Sequence, residues 1–158
     1  MRPLRPSELD QLNAFVGRWE WEGRGTIADG DQPVGFTGTR ESHWEGDGWY
    51  LVTHEVGNME GVGMSRTLIV WWYDARAGKF RTSYVDSMGT SMSGTAEYDQ
   101  RTATWECRAI SRSRAGAASA TGHVRFPNPD TMQWDWVEYS RSGRETAVEL
   151  TGVCRRIP

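Results

Sequence analysis

The chain has 158 residues, of which 37% are apolar, 25% are charged and 11% are aromatic, and its formal net charge at pH 7 is −3. This length predicts a single domain over residues 1–158. The acidic balance disfavours binding of nucleic acid through bulk electrostatics, and no apolar run approaches the length that crosses a bilayer. The start lacks the apolar stretch of a secretory signal, and Cys107 and Cys154 form neither a CxxC pair nor a disulfide framework. These features predict a cytoplasmic protein with free thiols and no nucleic-acid or membrane partner.

One short helix is predicted at about residues 7–16, before any other element. Ser7 is placed to cap it, and Leu12, Phe15 and Val16 form its apolar stripe. Gly17 is expected to end it.

From residue 18 onward, apolar and polar residues alternate with period two, and turn residues interrupt the pattern about every ten positions. The short connections cannot form parallel crossovers, so consecutive strands are expected to pair antiparallel, and closure would remove the open edges. The predicted fold is all-β: a single ten-stranded antiparallel up-and-down barrel with a short N-terminal helix. Its strands are predicted at 18–28, 34–44, 49–57, 65–73, 79–87, 91–98, 102–110, 117–126, 131–140 and 145–154.

Alternation also predicts which side chains face the barrel interior. In the first strand, Arg18 and Glu20 alternate with Trp19 and Trp21, so the tryptophans are expected to point inward. The later strands follow the same rule. Their predicted inward residues are Met92, Gly94, Ala96, Tyr98, Trp105, Cys107, Ala118, Ala120, Gly122, Val124, Phe126, Met132, Trp134, Trp136, Val148, Leu150 and Cys154.

The second and third strands carry polar and apolar groups on both faces, so the turn between them decides the prediction. Pairing Trp44 with Trp49 across this turn makes Glu41 and His54 diagonal neighbours on one face. That face is predicted to point inward, although a slip of one residue would turn all of it outward. Its other members are Thr39, His43, Tyr50, Val52 and Val56.

Several of these segments resemble a known family. Gly17-Arg18-Trp19, after a short helix and at the start of a strand, is similar to the glycine-x-tryptophan signature of lipocalin-like (calycin) barrels. Together with residues 12–19, 73–80 and 98–99, it resembles a bacterial lipocalin-like family, domain of unknown function 1579, over nearly the whole chain. The resemblance implies a barrel without an established activity. It also implies that Trp19 plugs one barrel end and that Arg155 or Arg156 packs over it.

The ten-strand plan is also similar to that of the nitrobindins, a neighbouring family that binds haem through a histidine in a late strand. The late histidine of this chain, His123, is predicted to point outward. No haem or other cofactor is therefore predicted.

Inward tryptophans suit a cage for a flat or apolar ligand, and their alternative role is to fill the barrel. A ten-stranded barrel is wider than an eight-stranded one, and small inward residues leave further room, which favours a cavity. Binding of a small hydrophobic or aromatic molecule is thus the leading functional prediction. The predicted ligand-binding residues are Trp21, His43, Tyr50, Tyr84, Trp105, Trp134 and Trp136.

Two alternatives remain open. Glu41 and His54, with Asp86 nearby, suit general acid–base chemistry, so they are the candidate catalytic residues of a cofactor-independent isomerase or lyase. A ligand-free module that forms a homodimer through an apolar patch of Trp44, Trp49 and Leu51 is the other alternative, so the chain is expected to be a monomer or a homodimer.

Charged and flexible segments give weaker signals. No metal site is predicted, because three or four ligands do not converge. The basic stretch at residues 111–114 is typical of a solvated loop tip. Residues 59–64 are predicted to form either a lid over the barrel mouth or an ordinary loop. Arg40, Arg66 and Arg81 are expected to attract an acidic group of a ligand if they reach that mouth.

Overall fold

Ten antiparallel strands close into a barrel in the computed structural model, which describes residues 4–27, 32–113, 116–139 and 146–158. Consecutive strands are neighbours, and pairing of the first strand with the last completes the cylinder. The predicted fold class is confirmed. The strands are β1 (Gly17–Ile27), β2 (Val34–Glu45), β3 (Tyr50–Met59), β4 (Gly63–Asp74), β5 (Lys79–Asp86), β6 (Ser91–Asp99), β7 (Thr104–Ser113), β8 (Gly116–Asn128), β9 (Thr131–Tyr139) and β10 (Thr146–Ile157).

The strands differ from the predicted segments mainly at their ends. β10 continues to Ile157 and so contains both candidate barrel-end arginines. β3 and β4 reach Met59 and Gly63, which leaves only residues 60–62 as their connection, too short for the predicted lid. Residues 28, 140 and 145, predicted as strand ends, lie outside the described residues.

The N-terminal segment is a 3-10 helix, Ser7–Phe15, rather than the predicted capped helix. Pro6 occupies the capping position, and no side chain there bonds to the helix N-terminus. Leu12 and Phe15 of the predicted stripe are nevertheless buried together with Leu9, and Val16 is partly buried against them, so this segment serves as a plug. Gly17 follows in a left-handed conformation (φ 124°) that favours glycine, which lets the chain turn from the helix into β1. In the described part of the chain, no helix is long and apolar enough to cross a membrane.

The plug closes one end of the barrel over a dense aromatic core. Phe15, Trp71, Phe80 and Trp105 pack there with ring centroids 4.9–5.8 Å apart. Edge-to-face and tilted contacts of this kind stabilise a core beyond simple area burial. This end is therefore solid, and any vacancy lies toward the opposite end, where β3–β4 and β5–β6 turn.

The hairpin of β2 and β3 has a different register from the predicted one. Glu45 pairs with Tyr50 and Trp44 with Leu51, because residues 46–49 form a four-residue turn with Gly46, Asp47 and Gly48 at positive φ. Every pairing consequently shifts by two residues, which leaves the two faces unchanged. Glu41 lies directly opposite His54.

The prediction that this face points inward is wrong. Glu41 and His54 are exposed, whereas Ser42, Leu51 and Thr53 on the other face are buried. The interior accepts polar residues here because they satisfy each other: Ser42 and Thr53 share a hydrogen bond of 2.7 Å. The predicted exposed patch is wrong for the same reason, since Leu51 is fully buried and the Trp44 indole donates to Asn13 at 2.8 Å.

Candidate functional site

A cavity of about 350 Å³ occupies the barrel interior above the aromatic core. Phe15 reaches its floor, and Met59, Val62 and Met88 lie at its rim beside the β3–β4 and β5–β6 turns. Cavities of 300–1,000 Å³ with mostly apolar walls are typical of small-molecule sites. Two sets of residues give this cavity its character, an aromatic wall and a polar ladder.

Four rings make up the aromatic wall: Trp21, Phe36, Trp134 and Trp136. Each lies directly opposite a glycine on the neighbouring strand. The pairs are Trp21 with Gly38, Phe36 with Gly23, Trp134 with Gly152, and Trp136 with Gly122.

These glycines decide how the rings lie. A Cβ atom on Gly152 would lie 2.5 Å from Cζ2 of Trp134, and one on Gly38 would lie equally close to Cζ2 of Trp21. Because real Cβ atoms do not approach this closely, only glycine lets each ring lie down against the neighbouring strand. The rings therefore line the wall instead of crossing the lumen. The glycines provide room in the lumen indirectly, because they let the rings that cover them stay close to the wall.

The polar ladder adjoins the aromatic wall at β2 and continues along the wall to β5. Arg40, Glu55, Thr67 and Asp86 are paired side by side on β2, β3, β4 and β5. Arg40 and Glu55 form an ion pair, and both side chains are only 16% exposed. Burial alone would lower the pKa of Arg40, but Glu55 and Cys154 together hold that pKa above its ordinary value.

Tyr84 adds a hydroxyl group to the ladder, two residues deeper in the barrel than Asp86 at the end of β5. Its hydroxyl donates to Oδ2 of Asp86 at 3.0 Å, and Oδ1 of Asp86 accepts the backbone N–H groups of Met88 and Thr90 at 2.9 Å each. Burial raises the pKa of Tyr84 strongly, and the carboxylates of Asp86 and Glu55 add to this increase. Tyr84 is therefore a neutral hydrogen-bonding group at physiological pH.

Several predicted ligand-binding residues do not reach the cavity. Tyr50 is 37% exposed on the outer face, where His43 stacks on His54 with ring centroids 6.0 Å apart. Trp105 points inward as predicted, but it belongs to the solid core below the cavity. Trp21, Tyr84, Trp134 and Trp136 do line the cavity.

Glu41 and His54, the predicted catalytic residues, lie outside the barrel and face no enclosed space. The proton-transfer prediction thus loses its geometric basis.

Cysteine and histidine have limited roles at this site. Burial raises the pKa of Cys107, on the cavity wall, to about 12, so its thiol is protonated at neutral pH. His123 bonds to Asp135 at 2.7 Å on the outer face, with 42% of its side chain exposed. Among the residues that the structure describes, no three His, Cys, Asp or Glu side chains form a group suited to a metal ion.

At the closed end, Arg156 rather than Arg155 lies over Trp19. The guanidinium carbon of Arg156 is 4.1 Å from the ring centroid, and the side chain donates to the carbonyl oxygens of Val16 and Pro129. Trp19 is fully buried and donates its indole N–H to the Phe15 carbonyl at 3.0 Å. Arg155 points outward and pairs with Glu22 at 2.7 Å.

Sequence reasoning missed Phe36 and Glu55 as cavity residues, and it named Arg40 only as an anion-attracting residue at the barrel mouth. The signal for the ion pair was present, since Arg40 and Glu55 become direct cross-strand partners once the hairpin register is correct. The signal for Phe36 was its position opposite Gly23.

Solved structures of low sequence identity share this barrel. Rv2717c from M. tuberculosis aligns with a TM-score of 0.71 and 12% identity, covering 98% of this chain and 100% of that one. The S-type phycobiliprotein lyase CPES from Guillardia theta aligns with a TM-score of 0.63 and 11% identity, covering 98% and 94% of the two chains. EF1p2_mFAP2b bound to DFHBI aligns with a TM-score of 0.50 and 12% identity, covering 96% and 100%. At these identities the likeness establishes the fold alone.

Sequence comparisons assign the family. A search of curated proteins found no match to this chain. A family model matches residues 6–156, nearly the full length. The chain therefore belongs to the family described as protein of unknown function DUF1579.

Proposed function

We propose that this protein binds a small, flat, largely apolar molecule inside its barrel. The observation that carries the proposal is the aromatic wall, whose four rings pack against glycines on the neighbouring strands and leave about 350 Å³ vacant. A side chain that served only to fill the barrel would project into this space. Flat rings offer stacking surfaces to a planar guest.

The polar ladder supports orientation of such a guest. Apolar burial supplies affinity without direction, at roughly 25 cal/mol per Å². Glu55 and Tyr84 place polar atoms along one side of the lumen, so a guest with one polar edge would settle in a single orientation. EF1p2_mFAP2b, a barrel of similar architecture, holds the small molecule DFHBI, which is consistent with this use of the fold.

A pair of neighbouring substitutions on β5 tests the proposal. Thr82 lines the cavity, whereas Ser83 faces outward, so Thr82→Trp fills the lumen and Ser83→Trp adds the same ring outside. With 2-naphthalenemethanol as the probe, we expect a Kd on the order of tens of micromolar for the unmodified protein, taking about 0.5 kcal/mol per non-hydrogen atom. Thr82→Trp should weaken binding at least about tenfold, and Ser83→Trp should change it less than about twofold.

Isothermal titration calorimetry provides the measurement, with circular dichroism to verify that both variants are folded. Equal binding by Thr82→Trp and the unmodified protein would place the probe outside the lumen and contradict the proposal. Loss of binding in both variants would do the same.

A further inference from the structure

We propose that the cavity selects a flat aromatic cation, such as a protonated aromatic amine, over an organic acid of the same shape. This inference rests on the proposed function and specifies the chemical class of its ligand. It reverses the expectation that Arg40, Arg66 and Arg81 attract an acidic group. Three independent features of the lumen support it.

The first feature is that Arg40, the one cation among the described side chains that point into the lumen, is already engaged. Its Nη2 pairs with Glu55, its Nη1 lies 3.6 Å from Sδ of Met132, and its Nε is buried without a partner and sealed from the cavity. A ligand carboxylate would have to displace Glu55 from Arg40. The buried Glu55 carboxylate would then have no partner. Arg66 is exposed, and Arg81 pairs with Asp74 at 3.2 Å on the outer face, so neither provides an alternative.

The second feature is that, among the described residues, inward-facing carboxylates in and beside the cavity outnumber Arg40. Glu55 cancels Arg40, but the hydrogen-bond partners of Asp86 within the described part of the chain are neutral, namely Tyr84 and two backbone N–H groups. Glu138 shares the inward face of β9 with Trp136 and accepts its indole N–H at 3.3 Å. Neutral donors hold these carboxylates in place without cancelling their charge. An incoming anion would meet repulsion in an environment that water screens poorly.

Charged groups on the outer side of the wall do not change this balance. Arg108 on β7 and Asp135 on β9 border the cavity, but their charges are opposite. Along their strands they alternate with the residues that point inward. Asp135 is further paired with His123.

The third feature is the aromatic wall itself. Four rings pack over glycines around one side of the lumen, and the face of an aromatic ring is its electron-rich part. Phe36 and Trp134 stack with ring centroids 5.8 Å apart and an interplanar angle of 22°, which adds to the aromatic surface on this side. Such surfaces attract cations, most strongly where water is excluded.

Three probes of one shape test the inference: 2-naphthylmethylammonium, 2-naphthalenemethanol and 2-naphthoate, titrated calorimetrically at pH 7. We expect the ammonium to bind at least about tenfold more tightly than the carboxylate, with the alcohol between them. Binding of the alcohol together with equal or tighter binding of 2-naphthoate would overturn the charge preference and leave the proposed function intact. Failure of all three probes to bind would overturn both.

Substitutions locate the source of the preference. Asp86→Asn with Glu138→Gln removes one charge from the cavity wall and one from the inward face of β9 beside it, and it keeps an acceptor at each position, so the ratio of ammonium to carboxylate affinity should fall to about threefold or less. Glu106→Gln with Glu149→Gln removes two exposed outer charges and should leave the ratio unchanged. An undiminished ratio in the lumen variant would contradict the inference. If the double lumen variant does not fold, Glu138→Gln alone, which leaves the β5–β6 turn intact, should still lower the ratio at least about twofold.

Discussion

Replacing Glu55 by leucine is expected to lower the free energy of unfolding by about 3–5 kcal/mol, the cost typical of leaving a buried charge without its partner. Arg40 would remain inside the barrel with its Nε unsatisfied and no counter-charge. Arginine does not escape this cost by losing its proton, since it stays charged in proteins. Urea unfolding, followed by tryptophan fluorescence, gives the free energies.

The double variant Arg40→Met with Glu55→Leu removes both charges. It therefore tests whether the stability lost in Glu55→Leu comes from the unpaired charge of Arg40. Removing both charges should recover most of the stability lost in Glu55→Leu, because a buried ion pair and an apolar pair of similar volume are often nearly equivalent. Glu41→Leu, the same change on the outer face of β2, should alter stability by no more than about 0.5 kcal/mol. A double variant that is less stable than Glu55→Leu, or a Glu41→Leu variant as unstable as Glu55→Leu, would contradict the placement of these residues.

Replacing Gly38 by alanine is expected to destabilise the protein by about 1–3 kcal/mol, as overpacked cores do. The new methyl group would meet the carbonyl oxygen of Val56 and lie 2.5 Å from the Trp21 ring. The indole has to leave the wall and enter the lumen to make room for the methyl group. The carbonyl belongs to the sheet and cannot move cheaply, so it adds to the cost. Binding of 2-naphthalenemethanol should weaken together with stability.

Gly35, on the same strand, is the matched control. A Cβ atom there has an ordinary contact, with Oε2 of Glu60 at 3.6 Å. Gly35→Ala should be neutral or stabilising by about 0.4–1 kcal/mol, since alanine restricts the unfolded chain. Equal effects of the two substitutions, measured by urea unfolding, would show that the ring over Gly38 does not limit the site.

The barrel could be predicted from the sequence because one face of most strands is unambiguously charged or polar. In β1, Arg18, Glu20 and Glu22 have to face water, and this fixes the inward direction of Trp19 and Trp21. Turn residues then divide the sequence after the helix into ten strands, β1 included, and closure follows from the need to pair the edges.

The inward faces of β2 and β3 could not be predicted in this way. Arg40, Ser42, Thr53 and Glu55 look like surface residues until their partners are known, and the partners lie across a hairpin whose four-residue turn set a different register. Val52 lies on the outer face, yet it is apolar and only 6% exposed. Its apolar character therefore favours the wrong face as the inward one. Polar pairs that satisfy each other inside a barrel leave no mark in the alternation pattern.

The arrangement of rings in the cavity depended on the same information. Glycines were expected to leave space, and tryptophans were expected to form a cage, but the direct pairing of each ring with a glycine appears only when the strand register is known. Trp105 shows the converse. Its alternation is that of a cavity residue, yet the helical plug and Phe15 place it in the solid core.

A crystal structure of the complex with 2-naphthalenemethanol is the most direct test of a lumen that receives a flat guest. The naphthalene ring should lie within van der Waals contact of the Trp134 and Trp136 faces, with its hydroxyl toward Glu55 or Tyr84. A probe bound only to the outer sheet beside Tyr50 and Trp72, or a lumen occupied by the indoles themselves, would contradict it.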